Sequence, residues 1–120
     1  MSLYDDLGGS EAIAVALDRF YTKVLADPRV SVFFDGLRID RIKSKQLDFL
    51  SAAFGGPNRY SGRDLRSAHQ LPRKRGLDEE GYDVFMRHFR ATLEELGVEE
   101  PKVNEVMSIA DTGKEDVLGR

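Results

Sequence analysis

The chain has 120 residues, 32% of them charged and 41% hydrophobic, with a formal net charge of −3 and no cysteine. That balance suits one soluble globular domain spanning residues 1–120 and argues against a nucleic-acid partner, while the missing thiols exclude disulfides, thiolate catalysis, zinc–sulfur sites and iron–sulfur clusters. No apolar run reaches the length of a membrane span and residues 1–6 show no secretory pattern, so no membrane partner is expected and the cytoplasm is the expected location.

In chain order, helical spacing dominates. A short helix is predicted from Ser2 to the Gly8 and Gly9 pair. Ser10 is expected to cap the next, with Glu11 in its first turn and Ile13, Leu17, Phe20 and Val24 on one face. Asp27 and Pro28 end it. A short segment over 30–37 carries Val32, Phe33 and Phe34. A helix over 40–54 then aligns Ile42, Gln46, Phe49, Leu50 and Ala53, an apolar stripe with one polar residue inside it, and Gly55, Gly56 and Pro57 stop it. Residues 58–62 read as a loop, followed by a short helix holding Leu65 and His69 that the 72–76 stretch breaks. Within that break, Arg73, Lys74 and Arg75 read as a solvated turn. Asp78 is placed to cap a long helix whose wide apolar face is Tyr82, Phe85, Met86, Phe89, Leu93 and Leu96, closed by Gly97. Pro101 opens the last helix, with Val103, Val106, Met107 and Ala110 inward and Val117 and Leu118 extending that face. Strand alternation is absent over any useful length, so the fold class is all-α.

His69 and His88 are the histidines of the sequence. His88 falls off the apolar stripe of its helix and is expected in solvent, without a role. His69 shares a helix face with Leu65, and an imidazole beside an aliphatic wall is what a haem iron needs on its proximal side. The same pattern also describes an ordinary hydrogen-bonded core histidine. Two polar residues interrupt other apolar faces. Tyr21 follows Phe20, and Gln46 lies between Ile42 and Leu50. Each is an unremarkable edge-of-core residue by itself. Together they offer an O–H and an N–H₂ to one apolar pocket, which suits a polarised diatomic ligand.

With Phe20-Tyr21, Phe33-Phe34, Lys45-Gln46, Phe54-Gly55-Gly56-Pro57 and Ala68-His69 in view, the chain resembles the truncated haemoglobins of the first group, the short two-over-two globins. Leu7-Gly8-Gly9-Ser10, Tyr60-Ser61-Gly62 and Leu96-Gly97-Val98 occur in the same order as in that family, so the likeness covers essentially the whole chain. The resemblance implies a two-over-two helical sandwich enclosing a haem. It implies His69 as the proximal iron ligand, Tyr21 as the main hydrogen-bond donor to a bound gas and Gln46 as its support. Ile42 matches the distal position nearest the iron, Phe34 a ring on the haem face, and Phe49 a ring linked in the family to the gas tunnel. Leu37, Leu50 and Leu65 are expected to complete the apolar walls, with Lys43, Lys45 and Arg66 available to the propionates.

Two departures from the family bear on the cofactor. Lys45 stands where some cyanobacterial members carry a histidine that closes the sixth iron position. A deprotonated amine there has the same capability, against the alternative of a lysine that snorkels to a propionate or to water. Gly113 stands near the place where other members attach haem through a histidine, which implies non-covalent haem b.

The resemblance implies binding of O₂, NO and CO at ferrous iron by a monomer or weak dimer, for oxygen storage, delivery or sensing. Its catalytic alternative is nitric oxide dioxygenation. That needs a separate reductase, because the sequence has no flavin or nicotinamide glycine fingerprint. Outside haem chemistry, the remaining alternative is a cofactor-free helical interaction module.

Overall fold

A computed structural model describes residues 3–56 and 70–119. Among these residues every regular element is helical. The order is α1 (Leu3–Leu7), α2 (Gly9–Leu25), α3 (Pro28–Ser31), a 3₁₀ turn (Val32–Phe34), α4 (Ile39–Ala53), α5 (Gln70–Lys74), α6 (Glu79–Glu95), α7 (Glu100–Ala110), a second 3₁₀ turn (Asp111–Gly113) and α8 (Lys114–Leu118). Helices α2 and α4 pack together, α6 and α7 pack together, and α2 lies on α6. The predicted faces of α2, α6 and α7 meet in the core, where Leu17, Phe20, Val24, Phe89, Leu93, Val103 and Val106 are all buried. Apolar positions at helical spacing can reach this arrangement only when each stripe faces another.

The helix ends follow local chemistry, with corrections to the sequence reading. Asp78 caps α6 as expected, its Oδ1 accepting from Gly81 N–H at 3.0 Å. Ser10 does not cap α2. The helix starts two residues earlier than that cap implies, behind Gly8 at φ 105°, and Ser10 N–H donates to the Tyr4 hydroxyl at 3.0 Å. The phenol thus satisfies a first-turn amide from outside the helix. Pro72 does not break α5 but lies inside it, and the helix gives way after Lys74 with Gly76 at φ 99°. In so short a helix Pro72 falls in the first turn, where an amide hydrogen has no intrahelical partner to lose.

The stop after α4 is set by packing as well as by backbone freedom. Gly55 adopts φ 90°, a conformation in which side chains are strained. Gly56 meets a different constraint, since a Cβ there would come 2.5 Å from Tyr4 Cδ1. Tyr4 cannot retreat easily, because its N–H bonds Phe54 O at 2.8 Å and its hydroxyl accepts from Ser10 at 3.0 Å. Gly56→Ala is therefore expected to destabilise the protein by about 1–3 kcal/mol, the usual range for forced overpacking. Thermal denaturation checks this, and an unchanged melting temperature would show that Tyr4 has room to move.

His88 also departs from expectation. It is not a solvated residue, since its Nε2 lies 2.8 Å from Asp27 Oδ2 and its side chain is 22% exposed. Leaving the apolar stripe of α6 turns it toward the corner between α2 and α3. There Asp27 caps α3, accepting from Arg29 N–H at 3.0 Å and from Arg29 Nη2 at 2.7 Å. The Arg29 side chain first, then His88, holds the Asp27 carboxyl well below the ordinary carboxylate range. A depressed folded value contributes stability that is present above the unfolded value of about 4 and is lost as pH falls through the folded one. Asp27→Asn is therefore expected to melt below wild type at neutral pH, with the gap shrinking as pH drops below about 4. Equal gaps at both ends of that titration would remove Asp27 as the source.

Candidate functional site

The described helices leave an apolar cavity of about 200 Å³ bounded by α2, the first 3₁₀ turn, α4, α5, α6 and the segment from α7 to α8. Its walls are largely aromatic. Phe34 stands edge-on to Tyr21, with ring centroids 5.5 Å apart, and edge-on to Phe85 at 5.6 Å. Phe20 completes the cluster, edge-on to Tyr21 at 5.0 Å and to Phe89 at 5.6 Å. Edge-to-face pairs fix ring orientation more tightly than apolar contact does, so the wall around Tyr21 is rigid.

Tyr21 is the polar centre of this wall. It belongs to α2 and is 1% exposed, with its hydroxyl 2.7 Å from Gln46 Oε1 on α4. Burial pushes the phenol well above its ordinary range, so Tyr21 keeps its proton. The hydroxyl donates and the carboxamide oxygen accepts. This refines the expected pair of donors: in this arrangement the Tyr21 hydrogen already has a partner across the helix interface. The tight packing of α2 on α4 brings the two side chains together although they are 25 positions apart in the chain.

The other expected site residues divide clearly. Phe34, Leu37, Ile42, Lys45, Phe49 and Leu50 all line the cavity with Tyr21 and Gln46. Lys43 does not. Its Nζ pairs with Asp18 Oδ1 at 2.9 Å, because its place on α4 directs it toward the outer edge of α2. Leu65, Arg66 and His69 lie outside the described residues. Leu50 also borders a second cavity, lined by Ile13, Phe54 and Val98.

Several lining residues were visible in the sequence only as core. Tyr82, Phe85 and Met86 of α6 face the cavity, as do Gly113 and Val117 near the chain end. Their stripe was legible, but periodicity cannot distinguish a side chain against a cavity from one against a neighbouring helix. Tyr82 Oη donates to Asp111 Oδ1 at 2.7 Å. That bond and the carboxamide contact of Tyr21 are polar fixtures of a largely apolar chamber.

Among the described residues no cluster of metal-binding side chains occurs, and no helix is long and apolar enough to cross a membrane. The residues present do fit a haem. A flat apolar macrocycle needs aromatic and aliphatic walls, which Phe34, Phe85, Ile42 and Leu50 provide, and a cation for its propionates, and Lys45 is among the lining residues. Pro72 of α5 borders the cavity, and the first residue of that helix, Gln70, directly follows His69 in sequence.

Comparison with known proteins agrees with this geometry. The profile of the family described as bacterial-like globin matches residues 2–118. A group 1 truncated haemoglobin of Tetrahymena pyriformis is 37% identical over 99% of this chain and 96% of its own length. One from a Synechocystis strain is 39% identical over 99% of this chain and 98% of its own. Among solved structures, the truncated haemoglobin of Tetrahymena pyriformis in its Fe(III) form superposes with a TM-score of 0.88 at 37% identity, each chain fully covered at 100%. The 2/2 haemoglobin of Synechococcus sp. PCC 7002, in the cyanomet state with covalently attached haem, superposes with a TM-score of 0.92 at 41% identity, again covering 100% of both chains.

Proposed function

Since the chain belongs to the bacterial-like globins, as a group 1 truncated haemoglobin whose role is haem-based binding of small diatomic ligands, we propose that it is a single-domain haem-b protein that reversibly binds O₂, and also NO and CO, with Tyr21 as the donor to the bound gas. One observation carries this reading. A buried, protonated phenol faces an aromatic cavity and is held by Gln46 at 2.7 Å.

Haem would supply a ferrous iron to which a diatomic gas coordinates. His69 is the residue proposed to hold it, with Phe34, Leu37, Ile42, Phe49 and Leu50 against the macrocycle and Lys45 at its rim. Leu65 and Arg66 belong to the same proposed contact set. Tyr21 has a single hydrogen. Turning it toward a gas gives up the bond to Gln46 Oε1, so the exchange favours a ligand polarised enough to make the stronger acceptor. Gln46 thus holds the phenol in register between binding events. The surrounding rings exclude water, which strengthens whatever bond the phenol makes. Lys45 lines the cavity, so its ammonium can meet a propionate, while its amine as an iron ligand is the competing proposal. A five-coordinate ferrous spectrum without added gas would eliminate amine ligation.

The proposal includes non-covalent attachment, and the C-terminal side of the cavity supports it. Gly113 forms the wall there and has no side chain to bond a vinyl group, and His88 is engaged by Asp27. Complete extraction of haem into acidified organic solvent is expected. Reconstitution with haemin, reduction and exposure to O₂ tests the function itself. A strong Soret band that shifts on oxygenation is expected, and a protein that takes up no haemin would refute the proposal. Mixing the oxygenated protein with NO and a reductant separates storage from dioxygenation, since only the second gives repeated turnover.

A further inference from the structure

The cluster Arg73-Lys74-Arg75, expected to be a solvated turn, is bonded to backbone at both of its arginines. Arg73 Nη1 donates to Val117 O at 3.1 Å, tying α5 to α8. Arg75 Nη1 reaches two carbonyls of the first 3₁₀ turn, Val32 O at 3.3 Å and Phe33 O at 3.4 Å, and that of the residue capping it, Asp35 O at 2.8 Å. Pro72, next to Arg73 in the chain, is buried and on the cavity wall.

The turn that Arg75 grips is weak by itself. It spans three residues, and its closing bond from Asp35 N–H to Val32 O is 3.4 Å long. Short 3₁₀ segments have poor hydrogen-bond geometry, and their last carbonyls lack internal partners. A cation placed on those carbonyls satisfies them and complements their partial negative charge. The turn nevertheless has a demanding task. It buries Phe33 and presents Phe34 edge-on to Tyr21 at 5.5 Å.

We propose that Arg75 is a positioning residue for gas binding: its guanidinium fixes the turn that sets Phe34 against Tyr21, and it ties this wall of the cavity to the helix that follows His69 in the chain. The inference rests on the haem-binding reading above. Arg75 touches neither haem nor gas in this scheme. It acts through Phe34 on the orientation of the Tyr21 phenol, so its loss changes the polar field at the gas while leaving the donor in place. All three contacts come from one nitrogen, so lysine, whose ammonium carries its donors on a single atom, is the conservative substitute.

The test compares wild type, Arg75→Ala and Arg75→Lys as haem-reconstituted proteins. The C–O stretch of the ferrous CO form reports the field from Tyr21, and flash photolysis reports gas release. Amide hydrogen exchange over 32–37, with and without haem, reports the turn directly. For Arg75→Ala, exchange at those amides is expected to rise by about tenfold relative to α2. The C–O band is expected to broaden or split, and gas release to change severalfold. Arg75→Lys is expected to recover the band. Faster exchange with an unaltered C–O band would overturn the proposal, reducing Arg75 to a surface cap. Should the alanine variant fail to fold, Arg75→Gln is read in the same way. A wild type that takes up no haemin overturns the functional reading and this inference together. A wild type with a normal gas complex, matched by Arg75→Ala in every readout, overturns the role of Arg75 alone.

Discussion

Replacing His69 with alanine is expected to abolish normal haem ligation, the largest single effect proposed for this chain. His69 lies outside the described residues, so the expectation rests on chemistry and on family membership. Imidazole is a neutral nitrogen ligand near physiological pH and commonly ligates haem iron. Of the sequence's two histidines, His88 is engaged by Asp27 at 2.8 Å, on the side of α6 facing the α2–α3 corner. His69 directly precedes α5, which borders the cavity through Pro72. His69→Ala should lose the Soret and visible bands of the five-coordinate ferrous protein, and added imidazole should restore them by filling the vacated position. The apolar walls remain in the variant, so weak haem retention without normal ligation is compatible with the proposal. A wild-type spectrum in His69→Ala would refute the assignment.

The second large effect is expected at Tyr21. Removing its hydroxyl by Tyr21→Phe deletes the donor while keeping the ring that packs on Phe20 and Phe34. A hydrogen bond to a polarised, partly charged partner contributes about 1.5–3 kcal/mol. Oxygen release should therefore accelerate by roughly ten- to a hundredfold, with a smaller change for CO, which carries less negative charge. The variant also leaves the Gln46 carboxamide oxygen without its partner, so some loss of stability should accompany the kinetic change. Because the two side chains are in direct contact, Tyr21→Phe and Gln46→Leu should combine non-additively, with a coupling of about 0.5–3 kcal/mol in the double-mutant cycle. Additive effects on oxygen release would mean that Gln46 does not orient the phenol. Unchanged release in Tyr21→Phe would remove Tyr21 as the donor.

Neither variant separates oxygen storage from nitric oxide dioxygenation. A phenol donor that slows oxygen loss serves storage, and it serves attack by NO equally well. The distinction therefore lies in electron supply rather than in the cavity. The cofactor-free alternative fares differently. An interaction module has no need of a buried hydroxyl bonded to a half-buried carboxamide at an aromatic chamber, and family membership now stands against it.

Some of this was written in the sequence. The stripes Ile13, Leu17, Phe20 and Val24 on α2, and Phe89 and Leu93 on α6, were legible because helical period is a local property that one-sided burial imposes directly. The Asp78 cap was legible for the same reason, its partner Gly81 being one turn away. The ordered motifs around Tyr21, Gln46 and His69 identified the family. Other features came only from tertiary structure, because they depend on groups far apart in the chain. The pairing of Lys43 with Asp18, of His88 with Asp27 and of Arg75 with the carbonyls of the 3₁₀ turn joins residues that no local pattern relates. Charged side chains read alike in sequence whether they face water or a backbone carbonyl. Their partners are decided when the helices pack, and so is the division of Tyr82, Phe85 and Val117 between solid core and cavity wall.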